Sequence, residues 1–296
     1  MERYFNKLLR EICKDKGIKL EFLSYNYVAK MNKDGKTRYV VGCSFGNNTT
    51  SSSKIATDKC CTYEVLKSYN IPIIEHNFVN EENTNLDFTG KYNYDVVVKP
   101  NKGSEGRDVL HLTNLEDIIK HTNKVVRYEK SAAICPFYNI KHEYRTFYLD
   151  GKSLLTYDKQ RPYVIGDGIN TVEDLIKSNN NKYVKTNEMT EKQLKYIPQK
   201  DEQVCISWKH NLCFGAKPII VKNKEKLDRI HKLVEDAAKA IGITFSSIDV
   251  IELDNGELMI LEINSSVTMT KFVEYEEYGH AIAKDIYSKA IDKLFE

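Results

Sequence analysis

The sequence predicts an α+β protein, and three observations point there. Apolar residues recur at helical spacing near both ends, at Tyr4, Leu8, Leu9 and Ile12 and again at Leu227, Ile230, Val234, Ala237, Ala238 and Ile241. Short β-rich runs lie between them, near 125–128, 132–138 and 144–149. Two further β-rich runs flank Asp254-Asn255-Gly256, a strong hairpin signal. No internal repeat is visible.

Taken in order, a helix over 3–16 and a strand in KLEFLSY after Gly17 predict a small α/β N-terminal module, residues 1–52. NNTTSSS at 47–53 reads as a loop and a boundary. From Thr57 a helix is expected to carry Cys61, Val65, Leu66 and Tyr69 inward, with Asn70-Ile71-Pro72 ending it. A linker rich in Asn and Glu, 80–94, leads to a strand from Asp95 to Lys99, and LEDIIKH follows as a helix. This predicts a small lobe over 53–130 and a C-terminal lobe over 131–296. Thr171 with Asp174 marks a helix start, and residues 178–203, rich in Asn and Lys, read as a mobile surface excursion. Gly242 closes the last amphipathic helix.

At 296 residues and 41% hydrophobic, the chain can bury a substantial core. Its 44 basic and 42 acidic residues nearly cancel to +2, so neither nucleic acid nor an anionic membrane is an expected partner. Seven cysteines, scattered and without metal-ligand spacing, fit reduced thiols. The N-terminus lacks a signal-peptide core, and no apolar run approaches the roughly 20 residues of a membrane span. A cytoplasmic location is expected.

Two stretches carry chemistry. In SSIDVIELDNGELMILEIN, a two-residue loop at Asn255-Gly256 would set Asp254 opposite Glu257 and Asp249 opposite Glu262, with Asn264 on the Glu262 face. Like charges so placed oppose folding unless compensated, and magnesium takes such oxygen donors. A solvated sheet face with lysine partners remains the other reading. In VVVKPNKGSEGRDV, Lys99 ends a strand and precedes a turn with Gly103, Ser104 and Gly106, whose backbone N–H groups could approach phosphate. It lacks the P-loop ending, and a plain β-connection is its alternative.

These pieces, in this order from about residue 36 to 266, resemble the ATP-grasp superfamily, particularly the branch of cyanophycin synthetase and bacterial glutathione-forming ligases. Asp58-Lys59 opens a helix ending at Asn70-Ile71-Pro72, as in that family, and makes Lys59 the first phosphate-binding lysine. Lys99 resembles the second, with 101–109 the flap over the γ-phosphate; the family usually has Gly where Asp108 stands. AAICPFYNIKHEYRTFYLDGK is similar to the interlobe segment, so backbone around Cys135, Pro136 and Phe137 would bind adenine and Glu143 the ribose. Arg145 matches an arginine near the reacting phosphates. QRPYVIGDGINTVEDLI matches the branch's Arg-Pro and Gly-Asp-Gly signature, making Arg161 a holder of acyl phosphate or substrate carboxylate. KHNLCFGAKP resembles an Asn-Leu-Ser-x-Gly element, with Asn211 and Gly215 kept and Cys213 in place of serine. Asp249, Glu262 and Asn264 fall on the three magnesium ligands, and SSVTMTKF replaces the usual Ser-Pro-Gly after them.

The resemblance implies an ATP-grasp fold, two α+β lobes gripping ATP between antiparallel sheets. It implies ATP and two Mg²⁺ ions, with Mn²⁺ as a substitute, and small-molecule or peptide carboxylate and amine substrates. Arg145, Arg161 and Lys99 would stabilise charge while an acyl phosphate forms and an amine displaces phosphate. Relatives commonly form homo-oligomers. A phosphotransferase and a noncatalytic nucleotide-binding protein stay open as alternatives. His142 and His210 read as bystanders, and Cys60 and Cys61 as helix packing.

Overall fold

The computed structural model describes residues 2–179, 181–186 and 189–296. In chain order the elements are α1 (Tyr4–Asp15), β1 (Lys19–Leu23), β2 (Val28–Lys33), β3 (Lys36–Val41), β4 (Ser44–Phe45), α2 (Thr50–Thr57), α3 (Lys59–Ser68), β5 (Asn77–Asn80), β6 (Val96–Pro100), β7 (Leu110–Leu112) and α4 (Leu115–Glu129). They continue with β8 (Ser131–Pro136), β9 (Ile140–Leu149), β10 (Lys152–Gln160), β11 (Tyr163–Ile165), α5 (Val172–Ser178), α6 (Glu191–Leu194), β12 (Gln203–Cys205) and β13 (Lys217–Ile220). The last are α7 (Lys224–Ile241), β14 (Phe245–Leu253), β15 (Leu258–Asn264), α8 (Thr270–Tyr275) and α9 (Gly279–Phe295).

The expected α+β class is what is observed. A central antiparallel sheet runs β13-β10-β9-β14-β15, a second runs β5-β8-β6-β7, and β1 to β4 form a meander. One face of the central sheet packs Tyr144, Tyr148, Ile248 and Val250 under Ile230, Val234 and Ala238 of α7. On its other face Phe147, Tyr157 and Phe245 join Leu8, Leu9 and Ile12 of α1 and Tyr287 of α9 in one core. That face therefore has an apolar end covered by the N-terminal segment and another end turned toward the second sheet. The divisions expected at 52 and 130 are crossed by packing: α2 and α3 lie on α7 and β15, and β8 completes the second sheet.

Local chemistry explains where the structure departs from expectation. Residues 50–53 begin helix α2 instead of a loop, because the Thr49 hydroxyl caps it by accepting from the Ser52 N–H at 3.1 Å. In α3 it is Lys59, Cys60, Thr62 and Leu66 that are buried, while Cys61 and Tyr69 are exposed. The strand expected at 125–128 is the last turn of α4, which Asn114 caps and whose Ile118, Val125 and Val126 face the second sheet. Within the polar stretch 178–203, Thr190 and Gln193 form a capping box for α6; Asn180, Asn187 and Glu188 of that stretch lie outside the described residues.

Candidate active site

The hairpin of β14 and β15 shows two deviations that cancel. Its loop has three residues, with Leu253 N–H donating to Glu257 O and Gly256 at φ +81°, so Asp254 does not face Glu257. This shifts the inner register to Glu252 opposite Leu258 and Val250 opposite Ile260. A bulge between Asp249 and Val250 then restores the shift, and Asp249 stands opposite Glu262 as expected.

Because β14 also pairs with β9, and β9 with β10, the register continues across the sheet as Tyr157, Arg145, Asp249 and Glu262 in one row. Arg145 grips Asp249 through two hydrogen bonds, Nε to Oδ1 at 2.7 Å and a terminal guanidinium nitrogen to Oδ2 at 2.6 Å. Its guanidinium also lies 4.0 Å from Glu262. Lys159, which sequence reasoning missed, reaches Asp249 Oδ2 at 3.0 Å and pairs with Glu143. Asp249 and Lys159 are 1% and 4% exposed, so this network is screened little by water. Burial opposes ionisation of Asp249, but Arg145 and Lys159 outweigh it and hold its carboxyl well below the usual range. Burial lifts Glu143 to about 7 against the pull of Lys159, with Asp249 adding to the rise. Lys159 stays above the ordinary lysine range because Asp249 and Glu143 overcome its burial.

The phosphate-loop residues converge on the same end of the sheet. Lys59 is buried in the first turn of α3, where its Nζ donates to Gly103 O at 3.0 Å and lies 3.8 Å from Glu262. Burial, partly offset by Glu262, lowers its pKa. Lys99 is buried at the end of β6. Gly103 lies against Pro100, where a Cβ would come within 2.7 Å of the proline Cβ. Gly106, at φ +71°, packs against Asn211 so closely that a Cβ would sit 2.7 Å from Nδ2. Asp108 occupies the left-handed region, φ 52°, that a glycine there would favour, and adds a 2.6 Å ion pair to Lys124 of α4. Ser104 lies between these glycines and is exposed.

The remaining expected residues fall into place around this centre. Cys135 is buried at the end of β8, Pro136 has no N–H, and the Phe137 N–H donates to Asp95 O at 3.0 Å. Phe137 stacks on His111 at 3.7 Å, with Trp208 at its edge. Glu143 lies inside β9 and is buried. His142, on the opposite face, hydrogen-bonds Asp158 at 2.6 Å. Arg161 lines a cavity of about 280 Å³ with Tyr163, Leu175, Asn181, Val184 and Lys217. Among the described residues it makes no hydrogen bond or ion pair. The Gly-Asp-Gly signature is a scaffold: Asp167 accepts from the N–H groups of Ile169 and Asn170, and Gly166 packs on Pro198 and Gln199. Asn211 caps a short 3₁₀ turn ended by Gly215. Val267, in the divergent segment after Asn264, is buried in the core and its N–H donates to Cys43 O.

Magnesium can be weighed against these donors. Glu262 is partly exposed, and Asn264 turns its Nδ2 to Glu262 at 3.2 Å, which leaves the amide oxygen open. Both fit a hard cation. Asp249 joins them in position, though both of its oxygens already accept from Arg145 and Lys159.

No family model matches the chain. It is 26% identical to cyanophycin synthetase of Synechocystis sp. over 280 residues and 21% identical to that of Nostoc sp. over 274. Each match covers 82% of this chain and 30% or 29% of the relative, so the chain spans under a third of their length. Among solved structures it is similar to the bifunctional glutathione synthetase from Pasteurella multocida (TM-score 0.61, 20% identity, 96% of this chain and 43% of that one). It is also similar to the D-alanine–D-alanine ligase from Bacillus anthracis complexed with ATP (TM-score 0.59, 17% identity, 83% and 68%). The chain resembles ATP-grasp ligases, and its antiparallel sheets form their fold.

Proposed function

We propose that this chain is an ATP-dependent carboxylate–amine ligase that forms an amide bond and releases ADP and phosphate. The observation that carries this reading is the meeting of Lys59, Arg145 and Lys159 with Asp249, Glu262 and Glu143 at the open end of one sheet face. Lys59 and Lys99 would bind the nucleotide's phosphates. The apolar cluster of Val97, Ile251, Leu253 and Met259 would take the base. With the Phe137 N–H committed, adenine would meet carbonyl groups around Cys135, Pro136 and Phe137.

Glu262 and Asn264 would hold magnesium, joined by Asp249 once the phosphates draw the Arg145 guanidinium away. The ion would supply charge neutralisation at the phosphate oxygens. Arg145 would then stabilise charge on the transferring phosphoryl group, and Lys159 would keep Glu143 and Asp249 in place. Arg161, without a partner among the described residues, suits a substrate carboxylate, which attacks the γ-phosphate to give an acyl phosphate and ADP. An amine then displaces phosphate. The loop 101–109, tied down at Gly103 and Asp108, would exclude water during this step.

Phosphate release is measured with ATP and pairs drawn from amino acids and short peptides, and products are weighed by mass spectrometry. Release only when an acid and an amine are both present supports the ligase. A stable phosphorylated acceptor would point to phosphotransfer instead, and no turnover across the panel would leave nucleotide binding alone.

A further inference from the structure

Resting on the nucleotide reading of this cleft, we infer that His76 is a phosphate-contacting residue whose imidazole hydrogen-bonds the nucleotide between Lys59 and Lys99. His76 precedes β5 in the segment that crosses from the central sheet, where the Ile74 N–H donates to Ile260 O, to the second sheet. Asn77 pairs with Ile134, and Val97 pairs with Cys135. Continuing this register by one residue sets His76 beside Cys135, in a row with Val97. Lys99 lies two residues beyond Val97 on the same face. Ile74, Val97 and Cys135 from this face share a cluster with Ile251 of the central sheet, so the face looks into the cleft.

His76 is 5% exposed, and among the described residues neither ring nitrogen has a hydrogen-bond partner; the Ile74 carbonyl lies near without hydrogen-bond geometry. Burial, then Lys99 and Lys59, press its pKa well below the ordinary histidine range, so the ring is neutral with one donor and one acceptor nitrogen. A buried polar group without a partner is unfavourable, and a ligand that completes its hydrogen bond recovers that free energy. A phosphate drawn to the two lysines offers only acceptor oxygens, which matches the ring N–H. A purely structural histidine would instead carry an intramolecular partner.

The test uses protein labelled with ¹⁵N-histidine, with the His76 ring assigned from its contacts to Ile74 and Cys135, titrated with ADP and separately with adenosine. ADP should shift the His76 ring nitrogens while adenosine leaves them in place. His76→Phe should weaken ADP about tenfold, as expected for one hydrogen bond to a charged group, and change adenosine affinity little. Ring signals unmoved by ADP, or equal weakening of ADP and adenosine, overturn the inference while leaving the ligase reading intact. If the parent protein binds no ADP at all, both readings fall. The labelled parent decides the question even where the variant does not fold.

Discussion

Lys159 touches two buried carboxylates, and its position makes the charge balance of the site depend on one side chain. Arg145 reaches both oxygens of Asp249, so Lys159 shares the second of them with Arg145 while it alone, among the described residues, pairs with Glu143. Removing it leaves Glu143 beside Asp249 with no shared cation, and a buried charge without a partner costs far more than the pair contributes. Lys159→Met should therefore destabilise the protein by about 3–5 kcal/mol in urea unfolding. Adding Glu143→Leu should recover much of that loss, since the second change removes the orphaned acid. A single variant as stable as the parent would contradict this. Glu262 is different: it is partly exposed and its nearest cations are 3.8 and 4.0 Å away. Glu262→Gln should change stability by less than about 1 kcal/mol yet reduce ADP formation a hundredfold or more, checked by paired melting and turnover assays.

At the level of elements, the flap shows how a departure from a family pattern can keep the family's backbone. Asp108 adopts the left-handed conformation and accepts an ion pair from Lys124, while its carbonyl accepts from His121 at 3.0 Å. The Asp108–Lys124 pair is well exposed, so Lys124→Ala should alter stability by under about 1 kcal/mol. It frees one end of the loop, however, and limited proteolysis within 101–109 should accelerate. Unchanged cleavage would show that Gly103, His121 and Asn211 hold the loop unaided. The same scale shows what could be read from sequence. Asp249 opposite Glu262 was legible because a hairpin is local, and it survived a wrong turn length only because the bulge offsets the third loop residue. Lys159 was not legible, since its meeting with Asp249 needs β9 to lie between β10 and β14, an order set by packing 90 residues apart in sequence. Helix α4 overrode the β-rich look of residues 125–128 because Val125 and Val126 complete its apolar face.

For the molecule as a whole, buried titratable groups set opposing responses to pH. His210 is buried, donates its Nδ1–H to Lys159 O at 2.8 Å, and is lowered to about 4 by burial, with Arg161 and Lys159 adding to the effect. Its folded pKa lies below its unfolded one, so the unfolded chain binds more protons between pH 6.5 and 4. Stability from this group is therefore present above that window and lost as pH falls through it. His76 acts with the same sign. Glu143 acts against them: raised to about 7, it binds a proton more readily when folded and adds stability as pH falls from 7 toward its unfolded value. Asp249, held below its unfolded value, withdraws stability only in stronger acid. The net profile mixes these terms, but a difference between two proteins isolates one of them. His210→Asn keeps a donor toward Lys159 O and removes the titration. Urea unfolding of parent and variant at pH 7 and pH 4 should show the variant losing roughly 3 kcal/mol less over that range. Parallel profiles would mean that His210 is protonated in the folded protein, and that the strand end carrying Lys159 opens to water before the rest of the chain unfolds.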